Sequence, residues 1–326
     1  MCAQLSDYDY ELPRELIAQH PLERREDSRM MVLRRDGQTI EHRQFRQLKQ
    51  FVEPVDLFVL NDTRVLAARR FSDDGAIEFL FLERLDAHHW KCLVKPGRKM
   101  RVGATTKIDN TSLHIEEITP EGERIVSFDQ DVDVYGGGSM PLPPYIARPS
   151  DIADESRYQT VFAQNPGALA APTAGLHFTP EILADARHAF VTLHVGTGTF
   201  LPVRSEAISE HRMHAERFSI SSAAADEINS AKRIVSVGTT VVRVLESAQR
   251  EAGKLIAQTG ATDIFIYPPY KFRHVDILFT NFHLPRSTLL MLVSAFVGRE
   301  FLLRAYEEAV RERYRFFSYG DCMLIL

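Results

Sequence analysis

Cysteine is scarce in this chain: three residues in 326, at Cys2, Cys92 and Cys322. An odd, widely spaced set fits neither a disulfide framework nor a zinc knuckle, and it points to a reducing cytoplasm. Long apolar runs are lacking too. The longest, such as Leu289 to Val293, are far too short to span a bilayer, which excludes a membrane-spanning helix. The first residues, Met1 to Asp9, hold no basic stretch followed by an apolar one, so no secretory signal is read there. Positive charge is not in excess. A net charge of −5 argues against a protein that coats nucleic acid non-specifically, and it leaves room for a local basic patch. Also missing are the phosphate-binding loop, the dinucleotide fingerprint and the His-Glu-x-x-His pattern of zinc proteases.

What is present is ordinary globular material, 44% hydrophobic and 25% charged, at a length that favours two domains. The first sixty or so residues read as an amphipathic segment at Pro13 to Gln19, a strand at Met30 to Leu33 and an apolar strand at Leu57 to Leu60. From Ala76 to Phe128 the texture shifts to short alternating runs separated by turn signals such as Pro96-Gly97 and Asp109-Asn110, which predicts a small all-β barrel. After residue 150 strands alternate with helices. Phe190 to Val195, Ile234 to Val237, Asp263 to Ile266 and Ile277 to Phe279 read as buried strands. Val241 to Glu251 and Ser287 to Arg313 read as helices, the second broken at Gly298, and the apolar tail reads as a docked final strand. This pattern predicts a largely parallel sheet. The fold class is therefore α/β, with a main domain of mixed, partly barrel-like sheet and helices built from residues 1–63 and 151–326. The all-β barrel domain is inserted at 64–150.

Between Pro172 and Pro285 five stretches pack His, Thr, Asn and Glu against Gly and Pro at strand ends, where open α/β folds place their chemistry. His211 and His214 lie three apart with Glu216 beyond them. On a helix the two rings would share a face, as metal ligands require, but no Cys or Asp cluster completes a ligand set; a hydrogen-bonded polar loop, functional or structural, is the better reading, and as functional groups the rings suit proton transfer with Glu216 orienting one of them. Gly196-Thr197-Gly198-Thr199 follows a strand and could bring backbone N–H groups to an anion, or be a tight turn. Gly238-Thr239-Thr240 sits at a strand-to-helix junction, where capping alone could explain the hydroxyls; Arg243 and Glu246 have the spacing of a helical pair. Asn61-Asp62-Thr63-Arg64 follows the apolar strand as a turn or a substrate-facing loop. Tyr267 to Arg273 mixes aromatics with Lys271 and Arg273, a surface that can stack bases and hold phosphates. Lys91 to Lys107 carries Lys91, Lys95, Arg98, Lys99, Arg101 and Lys107 without an acidic residue; a solvated surface is its plainer reading.

The same loops, in the same order, resemble one family: the S-adenosylmethionine:tRNA ribosyltransferase-isomerases of queuosine biosynthesis. The resemblance rests on Asn61-Asp62-Thr63-Arg64-Val65, Met140 to Ile146, Tyr158 to Ala163, Ala170 to Phe178, Phe190 to Gly196, His211 to Glu216, Thr280 to Pro285 and Phe316 to Asp321. It runs nearly end to end. Departures are Ala67 for the usual Pro, Val55 for Gly, Pro269 and Ile277 for Gly, and shortened stretches at Arg69 to Ala76 and Ala184 to Ala189; Pro269 bears most on local geometry. The resemblance implies an α/β domain with an inserted β-barrel. It implies ribosyl transfer from S-adenosylmethionine, a co-substrate, with no tightly bound cofactor and no metal. The acceptor is the aminomethyl group of 7-aminomethyl-7-deazaguanine (preQ1) at the wobble position of tRNA; the products are epoxyqueuosine, adenine and methionine. It also implies a monomer. Such chemistry needs several acid-base groups. The candidates are His177, His194, His211, His214 and His283, with Glu216 and Asp321 orienting them or balancing the sulfonium. Asn61, Arg64, Thr173, Gly175, Gly196, Thr197, Thr239, Thr240, Arg243, Asn281 and Tyr319 are candidates to hold substrate, Arg64 and Arg243 as carboxylate or phosphate anchors. Lys95, Arg98, Lys99, Arg101, Lys271 and Arg273 are the expected tRNA contacts. The rival readings are a metal-dependent hydrolase using His177, His211 and His214, and an RNA-binding module without catalysis.

Overall fold

The computed structural model describes residues 4–196, 198, 203 and 205–326. Thr197, expected at the site, lies outside the described residues. The protein is mixed α/β, with one nine-stranded and one six-stranded sheet. It divides into two compact units: Met1–Arg64, Pro143–Arg148 and Arg157–Leu326 form the larger, Val65–Leu142 and Pro149–Ser156 the smaller.

In the larger unit the strand order is Gln258–Thr262, Glu216–Ile220, His188–Leu193, Leu57–Asn61, Ile234–Val237, Ile277–Asn281, Cys322–Ile325, Arg29–Arg34 and Thr39–Gln44. Pairing is parallel from His188–Leu193 through Ile277–Asn281, and again between Cys322–Ile325 and Arg29–Arg34. The other pairings are antiparallel. The sheet is thus mixed: four of its eight strand pairings are parallel, not most of them as expected. Short connections force the reversal at one edge, where the turn between Arg34 and Thr39 holds Gly37 and Gln38 at positive φ.

Side-chain alternation explains why the central strands read as unbroken apolar runs. Met31, Leu33, Leu57, Val59, Leu278, Met323 and Ile325 face one core, shared with Val241, Leu245, Leu290 and Tyr306 of the helices. Their neighbours Met30, Val32, Phe58, Leu60, Phe279, Cys322 and Leu324 face a second, closed by Phe45, Phe178 and Leu183. A sheet covered on both faces must be apolar at every position. Helix Thr239–Ser247 follows the central strand Ile234–Val237, and Thr288–Val297 is separated from Arg299–Arg311 at Gly298, as expected. Gly298 has φ +91° and nothing within 4 Å of an added Cβ, so backbone torsion alone selects glycine there. Two expectations fail: Asp263 to Ile266 is irregular, the strand being Gln258–Thr262 just before it, and Pro13 to Gln19 forms only the single turn Arg14–Leu16.

The smaller unit is an antiparallel sheet in the order Arg69–Phe71, Glu78–Arg84, His89–Lys95, Arg124–Phe128, Thr111–Ile118 and Thr105–Ile108. Alternate residues, Phe79, Phe81, Trp90, Cys92, Leu113, Ile115, Val126 and Phe128, make its one core. Among the described residues no strand pairing joins the two end strands, so the expected barrel is a half-barrel, drawn together past its ends by the Asp73 N–H donating to the Lys107 carbonyl at 2.9 Å.

Candidate functional site

The parallel strands Ile234–Val237 and Ile277–Asn281 end side by side. Their carboxyl ends deliver Gly238, Thr239 and Thr240 on one side, and Thr280, Asn281, Phe282 and His283 on the other, to an open pocket of about 710 Å³. Of the residues expected from sequence, Thr173, Thr239, Thr240, Asn281 and His283 line it. Tyr145, Phe317 and Ser318 complete the wall. None of these three is among the candidates expected from sequence, although all lie in stretches that carry the family resemblance. Tyr145 stacks on Phe317 at 4.6 Å and its hydroxyl meets Ser318 Oγ at 2.7 Å. Phe317 is held at φ +69°, an unfavourable backbone conformation for a bulky side chain, directly beside the pocket.

Asn281 is buried. Its Nδ2 lies 3.0 Å from His177 Nε2 and donates to the carbonyls of Asp321 at 3.3 Å and Phe317 at 3.5 Å. Three acceptors around one amide atom identify it as the nitrogen. The amide oxygen, Oδ1, is buried without a partner. His177 then accepts on Nε2 and donates from Nδ1 to Ser28 Oγ at 2.9 Å. Burial, followed by the cations of Arg25 and Arg315, pushes its pKa down to about 3. His283 Nε2 contacts Thr280 Oγ1 at 3.0 Å, and burial takes this ring to about 3 as well. Both rings are neutral at pH 7 and make weak bases; His177, with both nitrogens engaged, orients Asn281.

The other histidines sit elsewhere. His194 Nδ1 meets Thr63 Oγ1 at 2.8 Å, and an added Cβ on Gly167 would stand 2.7 Å from its ring. Burial, then Arg217, lowers its pKa against the opposing effect of Asp62. His211 packs edge-on against Phe265 at 5.2 Å, its pKa lowered by burial and by His214. His214 is exposed and its ring abuts Gly198. The stretch from His211 to Ala215 is not helical, so the shared helical face considered for this pair does not form. Among the described residues no three His, Cys, Asp or Glu side chains gather into a group that could hold a metal.

Glu216 is buried and ion-paired with Arg243, and its Oε1 accepts the Gly196 N–H at 3.0 Å. Arg243, expected as a substrate anchor, is buried and turned inward, reaching the Thr262 and Ile264 carbonyls as well. It does not pair with Glu246, which instead holds the loop after the cis Pro268–Pro269 bond through Tyr270 Oη, Arg273 N and His274 N. Asp321 accepts the backbone N–H groups of Arg29 and Arg315, and burial raises its pKa despite them. Asn61 is buried with both amide atoms bonded to Leu193 backbone. A Cβ on Gly175 would stand 2.8 Å from Phe162 and Thr160, so packing selects this glycine. Tyr319 is buried edge-on to Tyr158. None of these lines the pocket. Arg64, Lys95, Arg98, Lys99, Arg101, Lys271 and Arg273 are exposed, and Lys91 lies near Glu83 and Glu123 at 3.6 and 3.8 Å.

The family model described as "Queuosine biosynthesis protein" matches residues 5–325. The S-adenosylmethionine:tRNA ribosyltransferase-isomerase of Carboxydothermus hydrogenoformans is 50% identical over 341 residues, covering 99% of this chain and 100% of that one. The protein of the same name from Desulforamulus reducens is 47% identical over 344 residues, with 99% and 100% covered. A crystal structure of S-adenosylmethionine tRNA ribosyltransferase from Thermotoga maritima superposes with a TM-score of 0.57 at 41% identity, covering 98% of this chain and all of that one. A match of this length, over loops that the fold brings to the strand ends, places the chain in the queuosine biosynthesis protein family.

Proposed function

We propose that the chain is an S-adenosylmethionine:tRNA ribosyltransferase-isomerase. It moves the ribosyl group of S-adenosylmethionine onto preQ1 at the tRNA wobble position and releases adenine and methionine. The observation that carries the reading is a pocket at the carboxyl ends of the strands whose wall has aromatic faces, buried hydroxyls and an unpaired amide oxygen but no ionised side chain. Ring faces such as Tyr145 and Phe317 suit a sulfonium, which is attracted to them without a carboxylate. The sulfonium acidifies the adjacent C5′–H. A base takes that proton and elimination expels adenine, which leaves with a proton; the neutral aminomethyl nitrogen bonds to a ribosyl carbon and gives up its own proton to a base, and cleavage of the C5′–S bond, whose electron pair stays on sulfur, releases methionine as a thioether.

Proton handling falls to His194, His211 and His214, which are less deeply buried than His177 and His283. His177 and His283 position their neighbours. The exposed cations Lys95, Arg98, Lys99 and Arg101, with Lys271 and Arg273, meet tRNA phosphates. The architecture proposed is an α/β domain of residues 1–63 and 151–326 with the β domain inserted at 64–150, acting as a cytoplasmic monomer without a tightly bound cofactor. Incubating the protein with S-adenosylmethionine and preQ1-containing tRNA should release adenine in step with a nucleoside mass gain to epoxyqueuosine. Bound tRNA with no adenine released would overturn the reading in favour of an RNA-binding module.

A further inference from the structure

We infer that this pocket grips the α-amino-acid end of S-adenosylmethionine, with its carboxylate at the N-terminus of helix Thr239–Ser247 and its ammonium on Asn281 Oδ1. The inference rests on the S-adenosylmethionine reading above and adds which end of the molecule enters here. The first N–H groups of a helix have no intrahelical partner and carry a partial positive charge, which suits an anion. Helices Ser222–Ser230 and Thr288–Val297 meet this need themselves, through Ser221 Oγ and Ser287 Oγ accepting the N–H of Ala224 and Leu290. Helix Thr239–Ser247 begins at Gly238, which has no side chain to cap it and whose own N–H goes to the Phe279 carbonyl. Thr239 and Thr240 face the pocket, and Thr240 Oγ1 is buried without a partner.

The second half is independent of the helix. Asn281 is 2% exposed, its nitrogen is committed to three acceptors, its oxygen has no partner, and the residue lines the same pocket. A buried acceptor left unpaired is costly, so a ligand that brings a donor is favoured here. One ligand must then present an anion and a donor together. A phosphodiester or fully ionised phosphate supplies no donor, and no Lys or Arg lines the pocket to hold a phosphate of any kind. Adenine supplies a donor but no anion. An α-ammonium carboxylate supplies both, and the sulfonium two methylenes further on reaches the aromatic wall.

Calorimetric titration of the purified protein with S-adenosylmethionine, its decarboxylated analogue and its deaminated analogue tests this. Each analogue should bind about tenfold to a hundredfold more weakly than S-adenosylmethionine, since each loses a charge-assisted hydrogen bond. Thr240→Val should weaken S-adenosylmethionine several-fold while leaving the decarboxylated analogue unchanged. Asn281→Ala should erase the difference between S-adenosylmethionine and the deaminated analogue. Thr240→Val removes an unpartnered hydroxyl, so its melting temperature should not fall, which separates lost binding from lost folding. Equal affinity for S-adenosylmethionine and the decarboxylated analogue overturns the orientation alone. No binding of S-adenosylmethionine by the wild-type protein overturns both the orientation and the reading beneath it.

Discussion

The two units put the same strand chemistry to different ends. In the larger, adjacent residues such as Met30 and Met31, or Leu57 and Phe58, enter opposite cores, so no length of central strand is free for polar work. In the smaller, Phe79, Phe81, Trp90 and Cys92 are buried while Leu80, Lys91 and His114 stay part-exposed. A sheet sealed on both faces can show its ligand polar groups only where strands stop, and there they converge in a pocket. A sheet sealed on one face spreads its polar groups over a surface. The first arrangement suits a small charged molecule, the second an extended polyanion.

The comparison breaks most visibly if one core is removed without the other. Phe81→Ala should cost about 3–5 kcal/mol in the smaller unit. Trp90, the one tryptophan, sits edge-on to Phe81 at 5.7 Å and reports the loss by fluorescence during urea unfolding. S-adenosylmethionine affinity should survive; its loss would mean that the units do not fold independently. Acid should act on the larger unit. His177 and His283 are held at about 3 against an ordinary 6.5, so the unfolded chain takes up protons first as pH falls. Stability from these two rings is complete above pH 6.5 and declines toward pH 3, each adding about 1.4 kcal/mol per pH unit. His177→Gln should remove one ring's share from urea midpoints measured across that range. The shape of the kcat/KM profile between pH 5 and 9 should be unchanged, since the wild-type ring does not titrate there. The smallest effect belongs to the exposed surface: replacing Lys95, Arg98 and Lys99 with alanine should lower the salt slope of tRNA binding by up to about 3 and leave stability and S-adenosylmethionine binding alone.

Legibility in the sequence followed burial. Ile234–Val237, the Leu57 strand and the break at Gly298 were readable because two-sided burial writes an apolar run and a positive φ demands glycine. Thr39–Gln44, Glu216–Ile220 and Gln258–Thr262 were not. They lie in the antiparallel margins of the sheet, where backbone ladders hold strands whose side chains need not be apolar. The site divides likewise. Thr239, Thr240 and Asn281 stand at ends of legible strands. Arg243 has the helical spacing to pair with Glu246, yet its partner is Glu216, 27 positions away, brought near by a strand that was itself unread. His177 is an acid-base candidate by residue type alone; its burial and its contacts to Ser28 and Asn281, which bear on that role, could not be read from the sequence.

Asn281 leaves mutation almost no room. The position needs a donor behind, toward His177, Phe317 and Asp321, and an acceptor in front, on one short planar group. Aspartate would set a carboxylate against two carbonyls. Glutamine would carry the same amide one methylene too far, and serine or threonine would offer a single oxygen for two opposed tasks. Every ordinary replacement forfeits one of the two faces, so the position works as a two-sided adaptor between the strand-end backbone and the pocket.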